Sequence, residues 1–183
     1  AQLSSLKKES FSCRVSHTNE IWIRNGIRVN QHKKHSKNGG DLFEKCLKMC
    51  CISPSSALIH RTVFNDLGGF DESLKACEDY DFWLRYCAFE QTHFLNEQLT
   101  IKNGGHSDQL SQKYWGMDRF RIYSLEKLLK NKNLSRSKYE LALTELILKL
   151  KILMNGSMKR GKKDFTDELN KKIIHFESLL GNE

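Results

Sequence analysis

Apolar positions fall in short runs over the first hundred residues and in long helical stripes beyond Asn131. Ile21–Val29, IWIRNGIRV, sets two β-rich arms around Asn25-Gly26, and both of those residues tolerate the positive φ of a two-residue hairpin turn. The polar NQHKKHSKNGGD that follows reads as an exposed loop ending in glycines. In DLFEKCLKMC, Leu42, Phe43, Leu47 and Cys50 predict a short amphipathic helix capped by Asp41. Ser56–His60 is short and apolar, as a buried strand is, and TVFNDL is a helical turn closed by Gly68.

Glu78–Phe89 predicts a further helix, with Phe82, Trp83, Tyr86 and Cys87 on one side. Thr92–Asn103 is two short extended segments or one bent strand, and helical character resumes from about Leu110. SKYELALTELILKLKILMNG is a strong helix ending at Gly156. DFTDELNKKIIHFESLL is another, capped by Asp164 or Thr166, and the two form an α-helical hairpin. The pattern divides the chain into an α/β part, residues 1–115, and a helical extension, residues 116–183.

Composition narrows the class. At 183 residues, 39% hydrophobic and 28% charged, the chain is long enough for a real core and ordinary for a soluble globular protein. No apolar run approaches the roughly 18 residues of a membrane span, and AQLSSLKKES at the amino terminus offers no apolar segment for a secretory signal. The net charge of +8 sits at the ends. Residues 1–50 carry ten basic and four acidic side chains, residues 51–130 nine and eleven, and residues 131–183 eleven and seven. A nucleic-acid binder would concentrate its cations on one working surface with interleaved aromatics, so no nucleic acid is expected as a partner. The basic ends fit solvated faces or weak attraction to an anionic membrane surface. The six cysteines lack any CxxC pair and read as core thiols in a reducing cytoplasm. His32 and His35, among lysines, read as solvated side chains.

Candidate chemistry concentrates in GGFDESLKACEDYDFWLR, where Glu78, Asp79 and Asp81 occupy the first turn of a helix. Carboxylates there are stabilised by the macrodipole and free N–H groups by about 0.3–1 kcal/mol each, which by itself accounts for them as helix caps. Their crowding, and the glycine turn before them, also suit a carboxylate poised to take a proton from a hydroxyl.

VFNDLGGFDESLKACEDYDFWLRYC resembles the second half of the catalytic domain of family 2 glycosyltransferases, a GT-A class using nucleotide-diphosphate sugars. The matching residues are Gly68, Gly69, Phe70, Asp71 and Glu72, then Glu78, Asp79, Asp81, Trp83 and Arg85. CISPSSALIHRTVF is similar to that family's serine-bearing strand, and NGGHSDQLS to its polar segment with a histidine near the metal-diphosphate. The resemblance covers about residues 13–115.

It implies an α/β fold, a partial GT-A (nucleotide-diphospho-sugar transferase-like) domain with the α-helical hairpin appended. It further implies inverting transfer from a nucleotide-diphosphate sugar to a saccharide or lipid-linked acceptor, as in cell-surface polysaccharide or glycolipid synthesis. Asp79 would be the general base and Glu78 would orient it or touch the sugar. Gly68 and Gly69 would let substrate approach the backbone, and Ser55 and Ser56 would contact the acceptor. Trp83 is either core or a sugar platform. His106 would be a ligand of the metal, Mg²⁺ or Mn²⁺, or of the diphosphate. The family's nucleotide-binding half with its Asp-x-Asp metal motif has no counterpart in these residues. Asp79-Tyr80-Asp81 falls in the acceptor-side motif instead, and one histidine cannot hold such an ion. The chain therefore reads as the carboxy-terminal half of an enzyme expected in the cytoplasm or at the inner membrane face, and weak in binding nucleotide sugar by itself. The competing account is a non-catalytic interaction module whose acid cluster only caps a helix.

Overall fold

The computed structural model describes residues 1–9, 12–105 and 113–180. They form two compact units, Ala1–Trp115 and Gly116–Glu183. In the first, a four-stranded sheet is built around β1 (Val15–Arg24). The hairpin forms as its sequence dictates: Asn25 and Gly26 take φ of 51° and 76° and return the chain into β2 (Ile27–Val29), with Trp22 opposite Val29. β3 (Ala57–Ile59) pairs antiparallel with the start of β1, and β4 (His93–Gly104) runs parallel along its length. The register slips twice near Asn19, where β4 carries the extra residues, so Thr92–Asn103 resolves as one irregular strand.

Helices cover the sheet. α1 (Gln2–Lys8), which the periodicity does not announce, hydrogen-bonds through Gln2 to the carbonyls of Ser16 and Ser56. α2 (Phe43–Lys48) starts where Asp41 Oδ1 accepts the Phe43 N–H at 2.9 Å. α3 (Arg61–Leu67) ends at Gly68, whose φ of 76° closes the helix as expected. α4 (Glu78–Cys87) is the central helix: from Tyr80 to Cys87 every side chain except Arg85 is buried. An apolar side chain removed from water this completely contributes roughly 1.5–3 kcal/mol. The predicted one-sided stripe is therefore too narrow, and only Glu78, Asp79 and Arg85 of α4 reach the surface.

The second unit contains three helices, one more than a hairpin: α5 (Asp118–Leu129), α6 (Arg136–Met158) and α7 (Lys163–Leu180). Leu143, Leu146, Ile147 and Leu150 make the buried stripe of α6. The expected stop at Gly156 does not occur. The helix runs through it, and the reversal uses Gly161 at φ 65°. Thr166 does not cap α7 either, since its hydroxyl bonds back to the Lys162 carbonyl. Gly116, at φ 62°, precedes α5, which begins at Asp118; the helical start expected near Leu110 lies outside the described residues.

Candidate active site

Asp79 stands in the first turn of α4, where it is partly exposed. Its Oδ1 accepts the Tyr80 N–H at 2.7 Å, and its Oδ2 accepts the Cys50 thiol at 3.1 Å. Burial of the sulfur, with the Asp79 charge second, pushes the Cys50 thiol well above its usual range. It therefore stays protonated and donates to the Asp79 carboxylate. The preceding residue, Cys77, holds φ at 64°, an uncommon conformation for a side chain other than glycine. Glu78 is half-buried beside Asp79, with no hydrogen-bond partner among the described residues.

The third acid of the cluster turns away. Asp81 is fully buried, and its Oδ2 accepts from Arg85 Nε at 2.8 Å. The same guanidinium donates to the carbonyls of Leu67 at 2.5 Å and Gly69 at 2.7 Å. Asp79 and Asp81 thus do different work, one at the surface and one clamping the glycine turn to α4. Gly68 and Gly69 both hold φ at 76°, and a Cβ on either would meet nothing within 4 Å. Glycine is required there by backbone conformation rather than by crowding.

Two expected substrate contacts are corrected by burial. Trp83 is 0% exposed and packs edge-on against Phe82 and Tyr86, so it has no face for a sugar. Ser56 is also buried, and its hydroxyl is held by the Ser53 carbonyl and by Lys37 Nζ at 3.3 Å. Ser55 remains exposed on the short turn before β3. His106 lies outside the described residues.

The structure adds residues that no motif marked. Glu20 of β1 and Lys37 of the polar loop form a buried ion pair at 2.8 Å, with side chains 0% and 4% exposed. Trp22 Nε1 donates to the second Glu20 oxygen at 2.9 Å. Burial raises the Glu20 carboxyl, but its hydrogen bonds from Lys37, Ser53 and Trp22 outweigh that and hold it below its usual range. The loop reaches this place because Gly39 lies against β4: a Cβ there would stand 2.9 Å from Phe94 N and Thr92 O. Lys37 and Cys50 both border a cavity of about 100 Å³, which also meets Lys34, Lys45, Ser53 and Lys102. Among the described residues no three His, Cys, Asp or Glu side chains are grouped to hold a metal ion. The described residues alone do not make a ligand set for the divalent ion that the resemblance implies.

This half-exposed carboxylate on a buried helix, behind a glycine turn and beside a polar cavity, lies within residues 40–135, which match the glycosyltransferase-like family 2 model. The match spans just over half of the 183 residues, and the chain belongs to that family. An uncharacterised glycosyltransferase of Rickettsia felis is 38% identical over 62 residues, 34% of this chain and 10% of that protein. Another, of Rickettsia typhi, is 33% identical over 81 residues, 44% of this chain and 25% of that protein. The chain thus spans a tenth and a quarter of the lengths of these relatives.

Proposed function

We propose that this chain supplies the acceptor side of an inverting glycosyltransferase, with Asp79 as general base. The acceptor hydroxyl gives its proton to Asp79 while its oxygen attacks the anomeric carbon of a nucleotide-diphosphate sugar. The bond from that carbon to the diphosphate breaks, and the nucleoside diphosphate leaves with the electron pair. The observation that carries this reading is the position of Asp79 in the first turn of α4, partly exposed and with Cys50 donating to its Oδ2 at 3.1 Å. Glu78, on the same turn, orients the base or contacts the sugar. No step is routed through a divalent ion, for which the described residues offer no ligand set. A saccharide or lipid-linked acceptor is part of the proposal, and the basic first fifty residues favour work beside an anionic membrane face. Six free thiols favour the reducing cytoplasm. Among the described residues no helix is long and apolar enough to cross a membrane.

A second reading has its own observation. Asp79 Oδ1 already accepts the Tyr80 N–H, which is what a purely structural helix-terminal carboxylate would do. Asp79→Asn separates the two, because the amide oxygen keeps that acceptor while losing basicity. In the full-length protein, sugar transfer should fall by about 10²–10⁴-fold with the melting temperature nearly unchanged. Transfer at the native rate would remove Asp79 as the base, and joint loss of stability would favour the structural reading.

A further inference from the structure

The cavity bordered by Lys37 and Cys50 carries a charge surplus that the catalytic proposal leaves unused. Four lysines line it, Lys34, Lys37, Lys45 and Lys102, against one carboxylate, Glu20. Glu20 is already committed to Lys37 at 2.8 Å. The ammonium groups of Lys34, Lys45 and Lys102 have no carboxylate partner among the described residues. Lys45 bonds neutral oxygens only, the Ser36 carbonyl and Asn38 Oδ1. Lys102 Nζ stands 3.4 Å from Ser53 Oγ and 5.2 Å from the centre of the Trp22 ring. These cations come from three separate elements, the polar loop, α2 and β4, and converge on one concavity. A solvated face would spread them instead. His35 registers the same field: burial first, then Lys34 and Lys102, lower its pKa.

The volume, about 100 Å³, is well above the roughly 10–15 Å³ that a single water needs. The cavity lies next to the acid cluster through Cys50, which lines it and donates to Asp79 at 3.1 Å.

We propose that this cavity binds a phosphoryl group carried by the acceptor, so that Lys34, Lys45 and Lys102 seat the anion and bring its attached sugar hydroxyl to Asp79. The inference rests on the glycosyltransferase reading and names its acceptor class, a phosphate- or diphosphate-bearing glycan or lipid. Lys37, neutralised by Glu20, shapes the wall and leaves the net charge to the other three. Ammonium groups suit this ligand because each acts as a point charge toward any phosphoryl oxygen.

The test is titration of the full chain with inorganic diphosphate, followed by calorimetry. Saturable binding that weakens as salt rises is expected, with a loss of about tenfold for each of Lys45→Ala and Lys102→Ala. Lys75→Ala, an equal loss of charge outside the cavity, should leave the affinity within about twofold. Because Lys45 also holds the loop, Lys102→Ala stands as the second variant should Lys45→Ala unfold. Absence of saturable binding, or equal losses in all three variants, would overturn the site. A source arm compares geranyl diphosphate with uridine diphosphate. Uridine diphosphate binding no tighter than inorganic diphosphate, with geranyl diphosphate at least equal to it, is the expected result. A clear preference for uridine diphosphate would give the cavity to the donor nucleotide and overturn the acceptor assignment. None of these readouts needs turnover, so failure here leaves the Asp79→Asn result intact, and the reverse also holds.

Discussion

His17 lies fully buried in β1, its ring 5.2 Å from Phe94 and its Nε2 3.5 Å from the Thr92 hydroxyl. Burial, with Lys37 second, lowers its pKa from 6.5 to about 4. The unfolded chain therefore binds a proton that the folded chain refuses, and stability present above pH 6.5 is lost as pH falls toward 4. The loss amounts to about 3 kcal/mol. Glu20 acts in the same direction further down: its pKa is lowered, so its contribution is present above its ordinary 4.5 and lost below it. Urea unfolding at stepped pH should show the first decline between pH 6.5 and 4, and His17→Gln should flatten it. Lys37→Met would leave Glu20 charged and unpaired in a dry setting, and we expect a cost of about 3–5 kcal/mol at neutral pH in the same assay.

Among the elements, α4 decides the geometry of the site, and Arg85 is what fixes α4 to the glycine turn. Its guanidinium donates to Asp81, Leu67 and Gly69, so Arg85→Ala would remove the cation beside a buried carboxylate and the donors to two carbonyls. We expect about 3 kcal/mol of destabilisation by denaturant unfolding. Gly68→Ala should cost about 1–2 kcal/mol, because its φ of 76° is unfavourable for a residue with a Cβ and nothing crowds the position. The sequence carried much of this level. The hairpin turn, the Gly68 stop and the helix from Glu78 follow from local backbone rules. The burial of α4 on nearly all sides did not, because neighbours far along the chain set it: the Tyr80 hydroxyl, for instance, is held by the Leu47 carbonyl. The Gly156 stop failed for a related reason, since packing of the α6 stripe outweighs the roughly 1 kcal/mol disfavour of glycine inside a helix.

Across the whole molecule, solvent access to the thiols reports which parts open together. Cys46, Cys77 and Cys87 are buried, and Cys13, Cys50 and Cys51 are half-buried. Maleimide labelling read by mass spectrometry should reach Cys13 in the native protein and leave Cys46, Cys77 and Cys87 protected until global unfolding. Cys50 should react slowly even where it is reachable, because its thiol is held protonated.

By itself the sequence determined the Asn25-Gly26 turn, the Gly68 stop, the start of the helix at Glu78 and the family, since these rest on residues adjacent in the chain or at fixed short spacing. The acid cluster was visible for the same reason. Only the tertiary structure decided what each member does: Asp79 faces outward beside Cys50, while Asp81 is drawn inward by Arg85. It alone brought Glu20, Lys37, Lys45 and Lys102 around one cavity. Charges that far apart in sequence have no spacing rule to announce them. Their meeting depends on strand register, and on the contact of Gly39 with β4. The same lysines that read as a solvated loop become a binding wall once the fold removes their freedom to spread.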